Sequence, residues 1–132
     1  AVVDQISNLE ISADDHAFLT LRLKNESLAQ ISFDLNARYT FCKIEATGEN
    51  GTAIWDRVEH NIKIYDADKK KWETESYTRD DFLNMYPNQT QHYINCIEGK
   101  SKPIIDIQDA LKTQNVIDKC FESSSIKKLI KI

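Results

Sequence analysis

The sequence predicts an α+β fold, an open and mainly antiparallel β-sheet with helices packed on one face. Three observations carry that expectation. Up to Tyr77, apolar residues recur at every second position in short runs separated by turns, the period of half-buried strands. Beyond Tyr86 the period changes to three and four, the spacing of one helix face. Strand-like runs come first and helical segments after, with no β-α-β alternation, and that order favours antiparallel pairing over a parallel sheet.

The first strand is expected over Asp15 to Leu23, with Ala17, Leu19, Leu21 and Leu23 alternating against His16, Thr20 and Arg22. Lys24 to Ser27 reads as a turn, and Leu28 to Leu35 returns with Ala29, Ile31, Phe33 and Leu35 on one side, completing an antiparallel hairpin. Phe41 to Thr47 is a third strand, Gly48-Glu49-Asn50-Gly51 a strong turn signal, and Thr52 to Asp56 the continuation of the sheet. Asn61 to Tyr65 and Trp72 to Tyr77 flank a charged turn over Asp66 to Lys71, a solvated hairpin tip. Short connections make sequential strands neighbours, so the arrangement expected is a meander.

No helix is expected before Tyr77. Tyr86-Pro87 suits a helix start, because the missing proline N–H costs nothing in the first turn. The stripe Gln89, His92, Tyr93, Cys96 and Ile97 follows and ends at Gly99, a natural residue just past a helix C-terminus. Lys100 to Ile105 with Pro103 is a linker. Asp106 then caps a terminal helix whose buried face is Ile107, Ala110, Leu111, Gln114, Ile117 and Phe121. Ser123, Ser124 and Ser125 are expected to end it, with Ile126 to Ile132 a closing edge strand.

The 132 residues fit a single domain, residues 1–132, and 41% hydrophobic with 29% charged residues is an ordinary globular balance. A net charge of -4 argues against a general nucleic-acid binder, which needs a basic face for phosphates. No apolar run is long enough to span a bilayer. Cys42, Cys96 and Cys120 are odd in number and far apart, which suits reduced thiols in a cytoplasmic protein, and no C-x-x-C offers a zinc site. The sequons at Asn25, Asn50 and Asn88 are read as coincidence, since turns carry Asn and Ser in any case.

The helix wording Asp109-Ala110-Leu111-Lys112-Thr113-Gln114 through Val116-Ile117-Asp118, Cys120 and Glu122-Ser123 resembles the end of the glucose-fructose oxidoreductase / inositol dehydrogenase (Gfo/Idh/MocA-type) family of NAD(P)-dependent oxidoreductases. Leu21-Arg22-Leu23-Lys24-Asn25, Ile31-Ser32-Phe33-Asp34-Leu35, Lys43-Ile44 through Gly51-Thr52-Ala53-Ile54-Trp55-Asp56, Lys63-Ile64-Tyr65-Asp66 and His92-Tyr93 through Cys96-Ile97-Glu98-Gly99 match in the same order. Each piece alone is weak, and their succession over most of the chain is the specific signal. The resemblance implies the second domain of such an enzyme. That domain binds a sugar or nucleotide-sugar substrate and assembles a homo-oligomer through the open sheet face, while an N-terminal Rossmann domain holds NAD or NADP.

Gly48, Gly51 and Gly99 are the only glycines and none forms a G-x-G pair, so no cofactor is expected on this chain and the Rossmann domain is absent from it. The chain opens on Ala1 and its only Met is Met85, which with the resemblance suggests a C-terminal portion of a longer enzyme, inactive by itself; processing of a natural precursor is the other reading. The alternative function is a free-standing α+β binding or scaffold module with no dehydrogenase partner.

The family's catalytic lysine motif, E-K-P-like, has no counterpart here. Asp14-Asp15-His16 is the only candidate for its D-x-x-x-H motif, with the wrong spacing, so no catalytic residue is assigned. Asp14 and Asp15 read as turn formers, and none of His16, His60 and His92 has a Ser or Cys partner at a recognisable motif spacing. Asp34, Asn36, Arg38 and Tyr39 form the densest polar group of the strand region. Family members often turn this stretch to the cleft, where Arg38 would hold a carboxylate or phosphate by paired hydrogen bonds; the plainer reading is a surface ion pair. Trp55, Trp72, Tyr65 and Tyr77 are candidates for the open sheet face, with ordinary core positions as the alternative.

Overall fold

The computed structural model describes all 132 residues. Seven strands and three helices follow in the order β1 (Val2–Asp4), β2 (His16–Arg22), β3 (Leu28–Asp34), β4 (Lys43–Gly48), β5 (Gly51–Asp56), β6 (Asn61–Asp66), β7 (Lys71–Ser76), α1 (Arg79–Leu83), α2 (Met85–Ile97) and α3 (Ile107–Ile126). The fold is α+β, and all strand pairs are antiparallel. The strands divide into a three-stranded sheet, β1-β2-β3, and a four-stranded sheet, β4-β5-β6-β7. The stretch from Leu35 to Cys42 is where the meander breaks. The chain forms two compact units, one of residues 1–38 and 104–132, the other of residues 39–103.

In the first unit the β2–β3 hairpin keeps the register that the alternation implies, Leu19 opposite Ile31 and Leu21 opposite Ala29. The three-residue strand β1 adds to β2, with Val3 opposite Ala17 and Asp4 opposite His16. Helix α3 begins at Asp106, whose carboxylate accepts from the Gln108 and Asp109 amides at 2.8 and 3.0 Å, the cap expected from sequence. Its Cys120 is the one buried apolar side chain of the protein. Cys120, Leu19, Leu21 and Ile130 border a cavity of about 50 Å³.

The serines expected to end α3 lie inside it, and the helix runs on to Ile126. Serine weakens a helix by competing for nearby backbone groups, but these hydroxyls are engaged elsewhere. Ser124 Oγ accepts from the Val3 amide at 2.9 Å and donates to the Val3 carbonyl at 3.1 Å. Ser123 Oγ accepts from the Ala1 amine and donates to the Lys128 carbonyl. The stop comes one residue after Ile126, where Lys127 takes a left-handed conformation at φ 55°. That turn leads Lys128 to Ile132 into irregular chain, and the expected closing strand does not form.

In the second unit the Gly48–Gly51 turn joins β4 to β5, as its composition indicates. The next two connections are built by aspartates: Asp56 accepts from the Val58 and Glu59 amides, and Asp66 from those of Asp68 and Lys69, the local competition that makes aspartate a turn former. Helix α1 was not expected. Thr78 caps it reciprocally with Asp81, each side chain accepting from the other's backbone amide. Helix α2 carries Pro87 in its first turn, and Gly99 follows at φ 72°. No helix is long and apolar enough to cross a membrane.

Cross-strand register sorts the four-stranded sheet into two unlike faces. Ile44, Trp55 and Ile62 form one row, with Ala46, Ala53 and Ile64 beside them on the same face, and β7 ends the two rows with Glu75 and Glu73. Tyr65 and Trp72 lie on the other face opposite Thr52, their rings 5.2 Å apart. The aromatics grouped by the sequence reading therefore separate: Trp55 is an odd number of residues out of step with Tyr65 and Trp72 in the paired register, so it points the other way. Tyr77 lies beyond β7, its hydroxyl donating to the Asp56 carbonyl and its ring edge-on to His60.

Candidate functional site

The polar group named from the sequence lies at the end of β3 and in the chain that leaves it. Asp34 is the last residue of β3, and its Oδ1 accepts from the Asn36 amide at 2.7 Å. That hydrogen bond turns the backbone sharply out of the sheet. Asn36 is half-buried, Arg38 is exposed, and Tyr39, the first residue of the second unit, is 74% exposed beside Phe41. Arg38 makes no ion pair.

Asp34 also has a partner that its sequence neighbourhood does not announce. His16 stands directly opposite it in the β2–β3 register, and the imidazole Nε2 is 2.9 Å from Asp34 Oδ1. On its other side, His16 Nδ1 is 2.6 Å from Asp15 Oδ1. Phe18, two residues along the same face, stacks on the ring at 6.1 Å. Two carboxylates thus flank one imidazole, an array satisfied in full when both ring nitrogens carry protons.

Asp15 is the most deeply enclosed large side chain, 2% exposed. The Ile6 amide donates to its Oδ1, and the Ser7 amide and hydroxyl donate to its Oδ2. Burial pushes its carboxyl up, but the hydrogen bonds from His16, from the Ser7 hydroxyl and from the Ile6 and Ser7 amides outweigh that, and it titrates well below the usual carboxylate range. The aspartate read as a turn former is therefore the anchor of the loop between β1 and β2. Apolar alternation assigned His16 to a solvent face; these charges enclose it at 9% exposure instead.

A second cluster pairs two residues that the sequence places only on a common helical stripe. One turn apart on α2, His92 Nε2 and Cys96 Sγ are 3.5 Å apart, and the Ser101 hydroxyl is 3.5 Å from the same sulfur. The signal was the i, i+4 spacing. All three cysteines are free thiols, and no group of three or more His, Cys, Asp or Glu is placed to hold a metal ion.

The glycines do not fit a dinucleotide cradle. Gly48 and Gly51 close a hairpin and Gly99 follows α2, whereas a pyrophosphate site needs a glycine-rich turn from a strand into a helix N-terminus.

No curated protein and no solved structure matches the chain. The family model described as "Oxidoreductase family, C-terminal alpha/beta domain" matches residues 2–132. Nearly the whole chain is thus accounted for by one domain type, in keeping with its ordered strands and terminal helix. The chain belongs to the oxidoreductase family of the glucose-fructose oxidoreductase and inositol dehydrogenase type, as its C-terminal alpha/beta domain.

Proposed function

We propose that this domain is the substrate-binding and oligomerisation part of an NAD(P)-dependent sugar or nucleotide-sugar oxidoreductase. Its nicotinamide cofactor, NAD or NADP, is held by a separate N-terminal Rossmann domain. The observation that carries the reading is the apolar face of the four-stranded sheet. Ile44 is 62% exposed, Ile62 37% and Ile64 52%, on a face with Ala46, Ala53 and Trp55 that Glu73 and Glu75 of β7 border at one edge. An aligned row of apolar residues on a sheet face favours a partner surface over water. We assign it to a second copy of the same domain.

Asp34, Asn36, Arg38 and Tyr39 are the substrate contacts in this reading. Arg38 offers a planar fork of donors to a phosphate or carboxylate. Asp34 and Asn36 offer groups suited to sugar hydroxyls, a carboxylate as acceptor and an amide as both donor and acceptor.

Light scattering across a concentration series tests the assembly. A dimer or larger species is expected, and Ile62→Lys should shift it to monomer; a strict monomer at high concentration would sink this part of the reading. Titrating the chain with a panel of nucleotide sugars, with backbone amides followed by NMR, tests the contacts. Shifts clustered from Asp34 to Tyr39 are expected, and shifts elsewhere or none would refute the assignment.

A further inference from the structure

We propose that Asp15, His16 and Asp34 form a pH-sensitive clasp, which holds the Asp34 carboxylate and the turn behind it while the imidazole carries both protons and releases them when Nε2 is deprotonated. The geometry sets which nitrogen gives up its proton. Nδ1 faces Asp15 at 2.6 Å, and Asp15 is immobilised by the Ile6 amide and by the amide and hydroxyl of Ser7. Nε2 faces Asp34, whose side chain is 30% exposed, so water reaches that side of the array. The neutral tautomer that persists keeps Nδ1–H on Asp15.

Deprotonation turns an attraction into a repulsion at one atom pair. With the proton on Nε2, the ring donates to Asp34 Oδ1, the same oxygen that accepts from the Asn36 amide. Without it, a nitrogen lone pair faces a carboxylate oxygen 2.9 Å away, and the carboxylate swings toward solvent. The proton passes to bulk water or buffer, and no other bond is made or broken. The charged groups that the strands bring to His16 are carboxylates: Asp15 preceding it, Asp34 opposite on β3 and Asp4 opposite on β1. Asp4 Oδ1 is engaged by the Gln5 amide. Rotating the imidazole away from Asp34 would break the Nδ1 hydrogen bond to Asp15, so the Asp34 carboxylate is the group that moves.

The sign follows directly. The Asp34 link is present on the acid side of the His16 titration and lost as pH rises through it. What it controls is the direction in which Asp34 points and the closure of the Asp34–Asn36 turn. The clasp requires neither the oxidoreductase reading nor any ligand, and its failure would leave that reading untouched.

The test is a pH titration of the ¹⁵N-labelled 132-residue chain over the whole range in which it stays folded. It reads the His16 ring nitrogens and the Asn36 backbone amide. The Asn36 amide should shift with the same midpoint as Nε2, while Nδ1 keeps its proton throughout. In Asp34→Ala and in His16→Gln the Asn36 shift should be lost; should His16→Gln not fold, Asp34→Ala decides. An Asn36 amide that stays flat while His16 titrates, that still titrates in Asp34→Ala, or a neutral His16 protonated at Nε2, overturns the clasp.

Discussion

Gly51→Ala is the substitution for which the structure makes the sharpest demand. Gly51 opens β5 at φ 153°, a conformation that L side chains rarely adopt, and a Cβ there would lie 1.9 Å from the Tyr65 carbonyl oxygen and 3.1 Å from its carbon. Those are backbone atoms of the neighbouring strand, so no side chain can rotate away, and the β5–β6 pair must open at this end. Backbone strain of this kind costs about 1–3 kcal/mol. Weakening the adjacent bond from the Ala67 amide to the Asn50 carbonyl adds about 1 kcal/mol. The sum is roughly 2–4 kcal/mol, which for a domain of this size lowers the melting temperature by about 4 °C per kcal/mol, or roughly 8–16 °C in all. Gly48, at the other end of the same turn, has no atom within 4 Å of a built Cβ. Gly48→Ala is therefore the internal control and should change stability little. Thermal and urea melts followed by circular dichroism measure both. If the two variants melt within a degree or two of each other, the reasoning from the Tyr65 contact is wrong.

Other expectations follow from the same residues. Asp106→Ala removes the side-chain cap of α3 and should cost about 1 kcal/mol, read as a lower urea midpoint with an unchanged slope. The Asp15 carboxyl titrates below its ordinary value, so the stability it contributes is fully present above pH 3.8 and is lost as pH falls through the acid range; Asp15→Asn should destabilise at neutral pH and flatten the acid limb of a stability–pH curve. Asp56 is held below its ordinary value chiefly by the Glu59 amide, and Asp66 chiefly by the Lys69 amide. Asp56→Asn should likewise reduce acid sensitivity, and an unaltered acid limb would remove that assignment. For the proposed substrate contacts, Arg38→Ala should weaken binding of a phosphate-bearing sugar by roughly 10- to 100-fold, the worth of hydrogen bonds to a charged group, with no change in melting temperature.

Much of the architecture could be read from spacing alone. The β2–β3 hairpin, the turns at Gly48–Gly51 and Asp66–Lys71, the Asp106 cap and the Gly99 stop all follow from local chemistry acting within a few residues. What escaped the reading depends on distant partners. Val2–Asp4 is too short for a period and becomes a strand because β2 and Ser124 take up its backbone groups. The serines of α3 stay helical for the same reason. Helix α1 is announced only by a Thr78–Asp81 capping pair, without an apolar stripe to support it. At the candidate site, density of polar residues singles out Asp34 and Asn36 as candidates. His16 was not, since its burial arises from a carboxylate one residue back and another eighteen residues on, which only the strand register brings together.

The Ser124 hydroxyl also changes what the three-stranded sheet can do next. An edge strand normally displays its free amide and carbonyl as a template for another chain. At Val3 both groups are occupied by one side chain from a helix, so the outer rim of β1 has no vacancy at its centre. An incoming strand finds its docking groups on β3 instead, and Ser124→Ala would open a second, unguarded rim and with it a route to uncontrolled fibrous growth.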